Sequence, residues 1–161
     1  MQHDRIKPDT ITYSAAIDAC YKADQKDQAF ELYSEALING CISHWAPSGD
    51  FMLDFHGHTR YTAAVGLQVA FYELLSSTGD KKWDWRGNVS VDELKIVTGK
   101  GLHSVVKGKC VVFEEVKRVL EQALEPRVQW KVDPSNSGRI LVSKANIEMW
   151  VQANRKKSST R

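Results

Sequence analysis

LDFHGHT, residues 53–59, is the stretch whose reading decides the fold. Read as a strand, it sends Leu53 and Phe55 to one face and Asp54 and His56 to the other. Gly57 permits a tight exit, and Thr59 is placed to cap a following helix by accepting a hydrogen bond from a free backbone N–H. A carboxylate and an imidazole on one side of a strand end, just before a helix N-terminus, suit phosphate or metal chemistry. The same pair also suits a turn held by local hydrogen bonds.

Downstream of this stretch, Ala63, Ala64, Leu67, Ala70, Phe71, Leu74 and Leu75 recur at spacings of three and four, which predicts a helix over 60–76. Residues 78–91 read as a polar loop folded back onto the body, with Trp83 and Trp85 in it. Leu94, Ile96 and Val97 then form a second strand ending at Thr98-Gly99-Lys100-Gly101. Strand, helix and strand make a right-handed crossover with parallel strands. Both strands then end on one sheet edge, the edge where open α/β sheets bind ligands. Asp54, His56 and His58 are thereby brought near Thr98, Gly99, Lys100, Gly101, His103 and Ser104. The glycines let the backbone approach an anion, successive N–H groups can form an anion-binding nest, and Lys100 adds a charge. Lys95, Lys100, Lys107 and Lys109 have no acidic residue among them. The GxxxxGK[ST] spacing is absent, so nucleotide hydrolysis is not expected.

Beyond the second strand, residues 111–124 have helical spacing (Val112, Val116, Val119, Leu120, Ala123), stopped by Pro126. Val128, Trp130 and Val132 alternate with polar residues and lead through a 134–138 turn to Ile140 and Val142, a hairpin pattern. A short helix over about 145–154 follows, and the basic tail 155–161 reads as disordered. Upstream, helices are predicted over about 11–23 and 27–38, separated by Asp24-Gln25-Lys26-Asp27 and closed by Asn39-Gly40. Two helices this short need neighbours to bury their faces. Residues 45–52 read as a linker, with Trp45 plugging the junction. The expected division is therefore a helical repeat over 1–44, the linker, an α/β domain over 53–154 and the tail.

Composition narrows the function classes. The 161 residues are 42% hydrophobic and 26% charged, with a formal charge of +2, so attraction to nucleic acid must come from local patches. Cys20, Cys41 and Cys110 stand apart without metal-type spacing, which argues for reduced thiols and against a zinc site or disulfide framework. No apolar run approaches the roughly 20 residues of a membrane span. The N-terminus reads as a cut through a longer protein, so the lack of a targeting segment carries no information on destination.

The segment KPDTITYSAAIDACYKADQKDQAFELYSEALING, with its Lys7-Pro8-Asp9 lead-in and Ala29-Phe30-Glu31-Leu32-Tyr33 core, resembles a pentatricopeptide repeat. That family implies two-helix units of about 35 residues, each contacting one RNA base. By this resemblance Ser14 and His44 take the two base-reading positions, although Ser43-His44 replaces the usual Pro-Asp ending. The LDFHGHT and IVTGKGLHS elements, in that order and followed by an amphipathic helix, resemble the small MutS-related (Smr) domain over about residues 51–145. Together the two parts are similar to the organellar PPR–SMR proteins, which implies a chloroplast or mitochondrial location.

The Smr resemblance implies a two-layer α/β sandwich with a four-stranded mixed sheet, similar to the C-terminal domain of bacterial translation initiation factor three. It also implies endonuclease activity in some members and binding alone in others. The expected activity is cleavage of RNA, with DNA as the other candidate: Asp54 holds Mg²⁺ or Mn²⁺ or orients water, His56 moves a proton, and Lys100 with Gly99 and Gly101 steadies phosphate charge. The alternatives are a phosphate-gripping module without chemistry and a protein-interaction domain.

Overall fold

The computed structural model describes residues 6–48, 50–76, 92–100 and 110–159. In chain order the elements are α1 (Thr10–Lys22), α2 (Lys26–Ile38), β1 (Met52–Asp54), α3 (Arg60–Ser76), β2 (Glu93–Val97), α4 (Val111–Arg118), β3 (Lys131–Asp133), β4 (Asn136–Ser143) and α5 (Lys144–Ser158). The last turn of α4 widens into a π turn over Val119–Ala123. The chain is mixed α/β, and its four strands form one mixed sheet in the order β1-β2-β4-β3. Strands β1 and β2 are parallel, as the crossover reading expects, with Leu53 opposite Ile96 and Asp54 opposite Val97. Strand β4 pairs antiparallel with both β2 and β3.

Alternation along the strands decides which sheet face is covered. Leu53, Leu94, Ile96, Ile140 and Val142 are fully buried in one cluster with Leu67 and Phe71 of α3, Val116 of α4 and Ile147 of α5. On the other face Asp54, Lys95, Val97 and Arg139 are half-buried or exposed, while Leu141 is buried. The acid of LDFHGHT therefore stands on the face opposite this core.

Helices α1 and α2 bury Tyr13, Ile17, Ala29, Tyr33 and Ala36 in a second cluster that also takes in Val65 of α3. The neighbour that two short helices need is thus α3 itself. Gly66 of α3 makes the fit possible: a Cβ there would collide with the Tyr33 hydroxyl and lie 2.9 Å from Cε1 of Phe55. Alanine in a helix is worth about 1 kcal/mol over glycine, but overpacking a buried contact costs about 1–3 kcal/mol. Gly66→Ala is accordingly expected to lower stability in urea unfolding, and an unchanged or raised midpoint would show that Tyr33 is not seated against α3.

Polar ties reinforce the same junction. Asp18 of α1 accepts a 2.7 Å hydrogen bond from the Thr59 hydroxyl, which itself accepts from the Thr62 backbone N–H as the first turn of α3 begins. Glu115, 1% exposed, is held between Arg60 and Arg118, and Arg118 also donates to the Tyr21 hydroxyl at 2.9 Å.

Residues 45–52, read as a linker with Trp45 at the junction, are tied to the sheet: Trp45 forms an antiparallel bridge to Leu53, and the Asp54 N–H donates to the His44 carbonyl at 2.8 Å. Three sequence expectations need correction. The hairpin turn is shorter than 134–138. It occupies Pro134 and Ser135, because the Asp133 carboxylate accepts from both the N–H and the hydroxyl of Ser135. Of the 128–132 alternation only Lys131 and Val132 enter a strand; Val128 instead donates its N–H to the Leu120 carbonyl at 2.8 Å. Finally, the basic tail is helical through Ser158. Three cationic residues suit the carbonyl end of a helix, and Arg155 donates to the Leu75 carbonyl at 3.3 Å. The predicted loop over 78–91 lies outside the described residues.

Candidate active site

Strand β1 stops at Asp54 because the next residues turn. The carboxylate Oδ1 of Asp54 accepts from the backbone N–H of His56 at 3.0 Å, and Gly57 takes a positive φ of 80° that glycine adopts without strain. Phe55 still donates its N–H to the Val97 carbonyl at 2.8 Å, which locks this turn to the end of β2. The turn delivers the His56 ring back to the same acid: Nδ1 lies 2.6 Å from Asp54 Oδ1. A carboxylate only accepts, so Nδ1 donates in this contact and Nε2 is the ring nitrogen it leaves unused. Asp54 is 31% and His56 71% exposed, so the pair is open to solvent on the sheet face opposite the core.

The end of β2 meets this pair, as the parallel pairing requires. Gly99 has a positive φ of 83°, and a Cβ built on it would lie 3.9 Å from Cβ of His56. Lys100 follows directly and is exposed, its Cγ lying beside Gly138 of β4. Asp54, His56 and Gly99 thus meet at one rim, with Lys100 next in the chain. Gly101, His103 and Ser104 lie outside the described residues.

Three other candidates are turned away from that rim. The Thr98 hydroxyl is buried and donates to the Gly138 carbonyl at 3.1 Å, while its N–H donates to the same oxygen at 2.9 Å, so neither is offered to an anion. His58 packs edge-on against Phe55 with ring centroids 5.3 Å apart, and its Nε2 is buried. Desolvation, followed by the field of His44, holds the His58 imidazole below its ordinary pKa. His44, expected at a base-reading position, is 2% exposed and spans two elements: Nδ1 is 3.2 Å from the Tyr33 hydroxyl and Nε2 is 3.0 Å from Glu73. It braces the junction and presents no edge to a base. Ser14 is half-buried on α1.

Two residues that matter here were not singled out by pattern. Gly138 lies inside β4, and a Cβ there would stand 2.8 Å from the Gly99 carbonyl carbon and 3.1 Å from Lys100 Cγ. Its bare backbone therefore sets the path of the Gly99–Lys100 turn, and a glycine interrupting a strand pattern was the available signal. Glu73 joins the junction by accepting from the Trp45 indole at 2.7 Å. Burial raises its pKa, but hydrogen bonds from His44 and Trp45 and the attraction of His44 outweigh that and leave it below the ordinary 4.5. A depressed carboxyl contributes stability above its unfolded value and loses it as pH falls through the folded one. Acid titration of unfolding should therefore show wild type losing more stability below about pH 4.5 than Glu73→Gln does.

For the expected Mg²⁺ or Mn²⁺, Asp54 supplies one carboxylate, whose Oδ1 already serves two N–H groups, which leaves Oδ2 beside the waters and substrate phosphate that would complete the shell of such an ion. Among the described residues no three potential ligands come together, and the sequence of 101–109 contains no acid. Among the described residues, too, no helix is long and apolar enough to cross a membrane. No protein-family model matches the chain, and neither a curated protein nor a solved structure matches it.

Proposed function

We propose that this chain is a phosphodiester endonuclease acting on RNA, with Asp54 and His56 at the reacting centre and the Gly99–Lys100 turn facing the phosphate. The reading follows the resemblance of LDFHGHT and IVTGKGLHS to the Smr sandwich domain, and of residues 7–40 to a pentatricopeptide repeat. The observation that carries it is the Nδ1–Oδ1 contact of 2.6 Å in a solvent-facing pair, with the Gly99 backbone against the His56 side chain. An acid that orients an imidazole whose other nitrogen faces substrate is the arrangement general base catalysis needs. Lys100 supplies a positive charge beside the glycine backbone.

The test is cleavage of labelled single-stranded and stem–loop RNA by the purified chain. Wild type should cut, and Asp54→Ala should cut at least tenfold more slowly, within the span that acid–base groups contribute. RNA left intact with or without added Mg²⁺ or Mn²⁺, or equal cutting by Asp54→Ala, overturns the proposal.

A second reading has its own support. Asp54 Oδ1 also accepts from the His56 backbone N–H, which is how an aspartate braces a turn. Under that reading the rim binds nucleic acid or a partner without chemistry. Lys100→Ala then weakens RNA binding and flattens its salt dependence, while Asp54→Ala leaves binding unchanged.

A further inference from the structure

We infer that Arg60 and Arg118 form a second anion site, away from the rim, which grips another phosphate of the same RNA strand. The site lies at the seam of α1, α3 and α4, and assigning it to RNA rests on the proposed endonuclease reading.

The seam is built on one buried acid. Glu115 of α4 is 1% exposed, and both of its oxygens are taken. Oε2 accepts from Nε of Arg60 at 2.8 Å, and Oε1 accepts from Nε of Arg118 at 2.7 Å. Arg118 also commits Nη2, to Oε1 and to the Tyr21 hydroxyl of α1. One arginine is enough to neutralise a buried carboxylate, so the second leaves a surplus positive charge. Nearby on α1, Asp18 accepts from the hydroxyls of Thr59 and Thr62, and Lys22 one turn later offsets its charge.

The donors left over define the ligand. A guanidinium carries five N–H groups in a flat fork. Arg60 is anchored through Nε, and among the described residues nothing accepts from its two terminal nitrogens. Its side chain is 51% exposed, which leaves that end accessible. The Tyr61 ring lies 5.3 Å from the guanidinium carbon and stacks on Tyr21, with ring centroids 5.3 Å apart. A fork already fixed by an acid and a ring loses little freedom on binding. Its paired N–H groups match two oxygens of a phosphate. Arg60 follows His56 by four residues, so their Cα atoms lie at most about 15 Å apart at 3.8 Å per residue. A strand with one phosphate at the rim therefore brings others within reach of Arg60. Such a contact fixes the strand's register and reads no base.

The experiment measures binding of the full chain to labelled single-stranded RNA of randomised sequence. Fluorescence anisotropy is recorded at several salt concentrations, a gel reports whether the RNA stays intact, and urea unfolding checks each variant. In Arg60→Gln the buried Glu115 keeps Arg118, so the fold is retained. This variant should raise Kd about tenfold, as for the loss of one charged hydrogen bond. It should also flatten the slope of log Kd against log salt by about 0.7, the share of one contact on a single strand. Arg60→Lys keeps the charge without the fork, and should restore the slope but only part of the affinity. Equal affinity of Arg60→Gln and wild type, or weaker binding with the slope unchanged, overturns the site while the endonuclease reading stands. Loss of binding to a polyglutamate peptide with RNA affinity unchanged assigns the pair to an acidic protein partner and overturns the RNA assignment. RNA gripped through Arg60 but never cut supports the site and overturns the endonuclease reading. Wild type that binds no RNA overturns both.

Discussion

Replacing His56 by alanine is expected to slow RNA cleavage by about 10²–10⁴-fold, the span that a positioned proton-transfer group contributes. The expectation follows from where the ring stands. His56 makes no contribution to either hydrophobic cluster and is largely exposed, so its removal creates no cavity. The turn survives as well, because Asp54 Oδ1 is held by the backbone N–H of residue 56, which alanine retains. Unfolding stability should therefore shift by no more than about 0.5 kcal/mol, as for other surface substitutions. Single-turnover cleavage and urea unfolding on the same preparation check both halves. A variant that cuts within tenfold of wild type removes His56 from the chemistry. One that unfolds much more easily shows that the loss of rate was structural.

Phe55→Ala should produce the opposite pattern, a large loss of stability of about 3–5 kcal/mol. Phe55 is completely buried and touches both clusters' supports: its ring faces His58 edge-on, and Cε1 lies under Gly66, where Tyr33 also inserts. Removing the ring opens a void beneath the turn that carries Asp54 and His56, at the point where α3 receives α1 and α2. Neighbours on β1, β2 and α3 are held by the sheet and by Gly66 packing, so they cannot collapse into the space without breaking other contacts. For a chain of this size the loss corresponds to a fall of roughly 10 °C in Tm. Phe55→Leu refills most of the volume and should cost less than about 1.5 kcal/mol. If Phe55→Ala unfolds within 1 kcal/mol of wild type, the packing described around it is incorrect.

Both substitutions lie in LDFH, where only the buried half of the contrast was legible. Alternation sets Leu53 and Phe55 apart from Asp54, since a pleated strand offers only two faces, whereas His56 lies past the end of β1 and is directed by the turn. Helix α3 was read from 60 to about 76 by its apolar spacing and by Thr59, and the structure begins it at Arg60 and describes it through Ser76. The parallel pairing of β1 with β2 also followed, because a strand–helix–strand crossover permits little else.

Short-range pattern could not reach the rest. His44 carries no mark of burial in SHWAPS; only the approach of Tyr33 from α2 and Glu73 from α3 makes it a brace. Thr98 and His58 belonged to promising motifs, yet the Gly138 carbonyl from β4 captures the one and the Phe55 ring covers the other. In each case the deciding partner lies elsewhere in the chain, from a few residues to some forty, and a side chain with polar atoms turns toward whichever partner the fold supplies. By itself the sequence determined which residues share a face and the pairing of the first two strands, because backbone geometry alone enforces both. Which of the motif's polar groups face solvent and which are spent inside was decided by tertiary packing, since satisfying a buried donor or acceptor requires neighbours that local sequence does not contain.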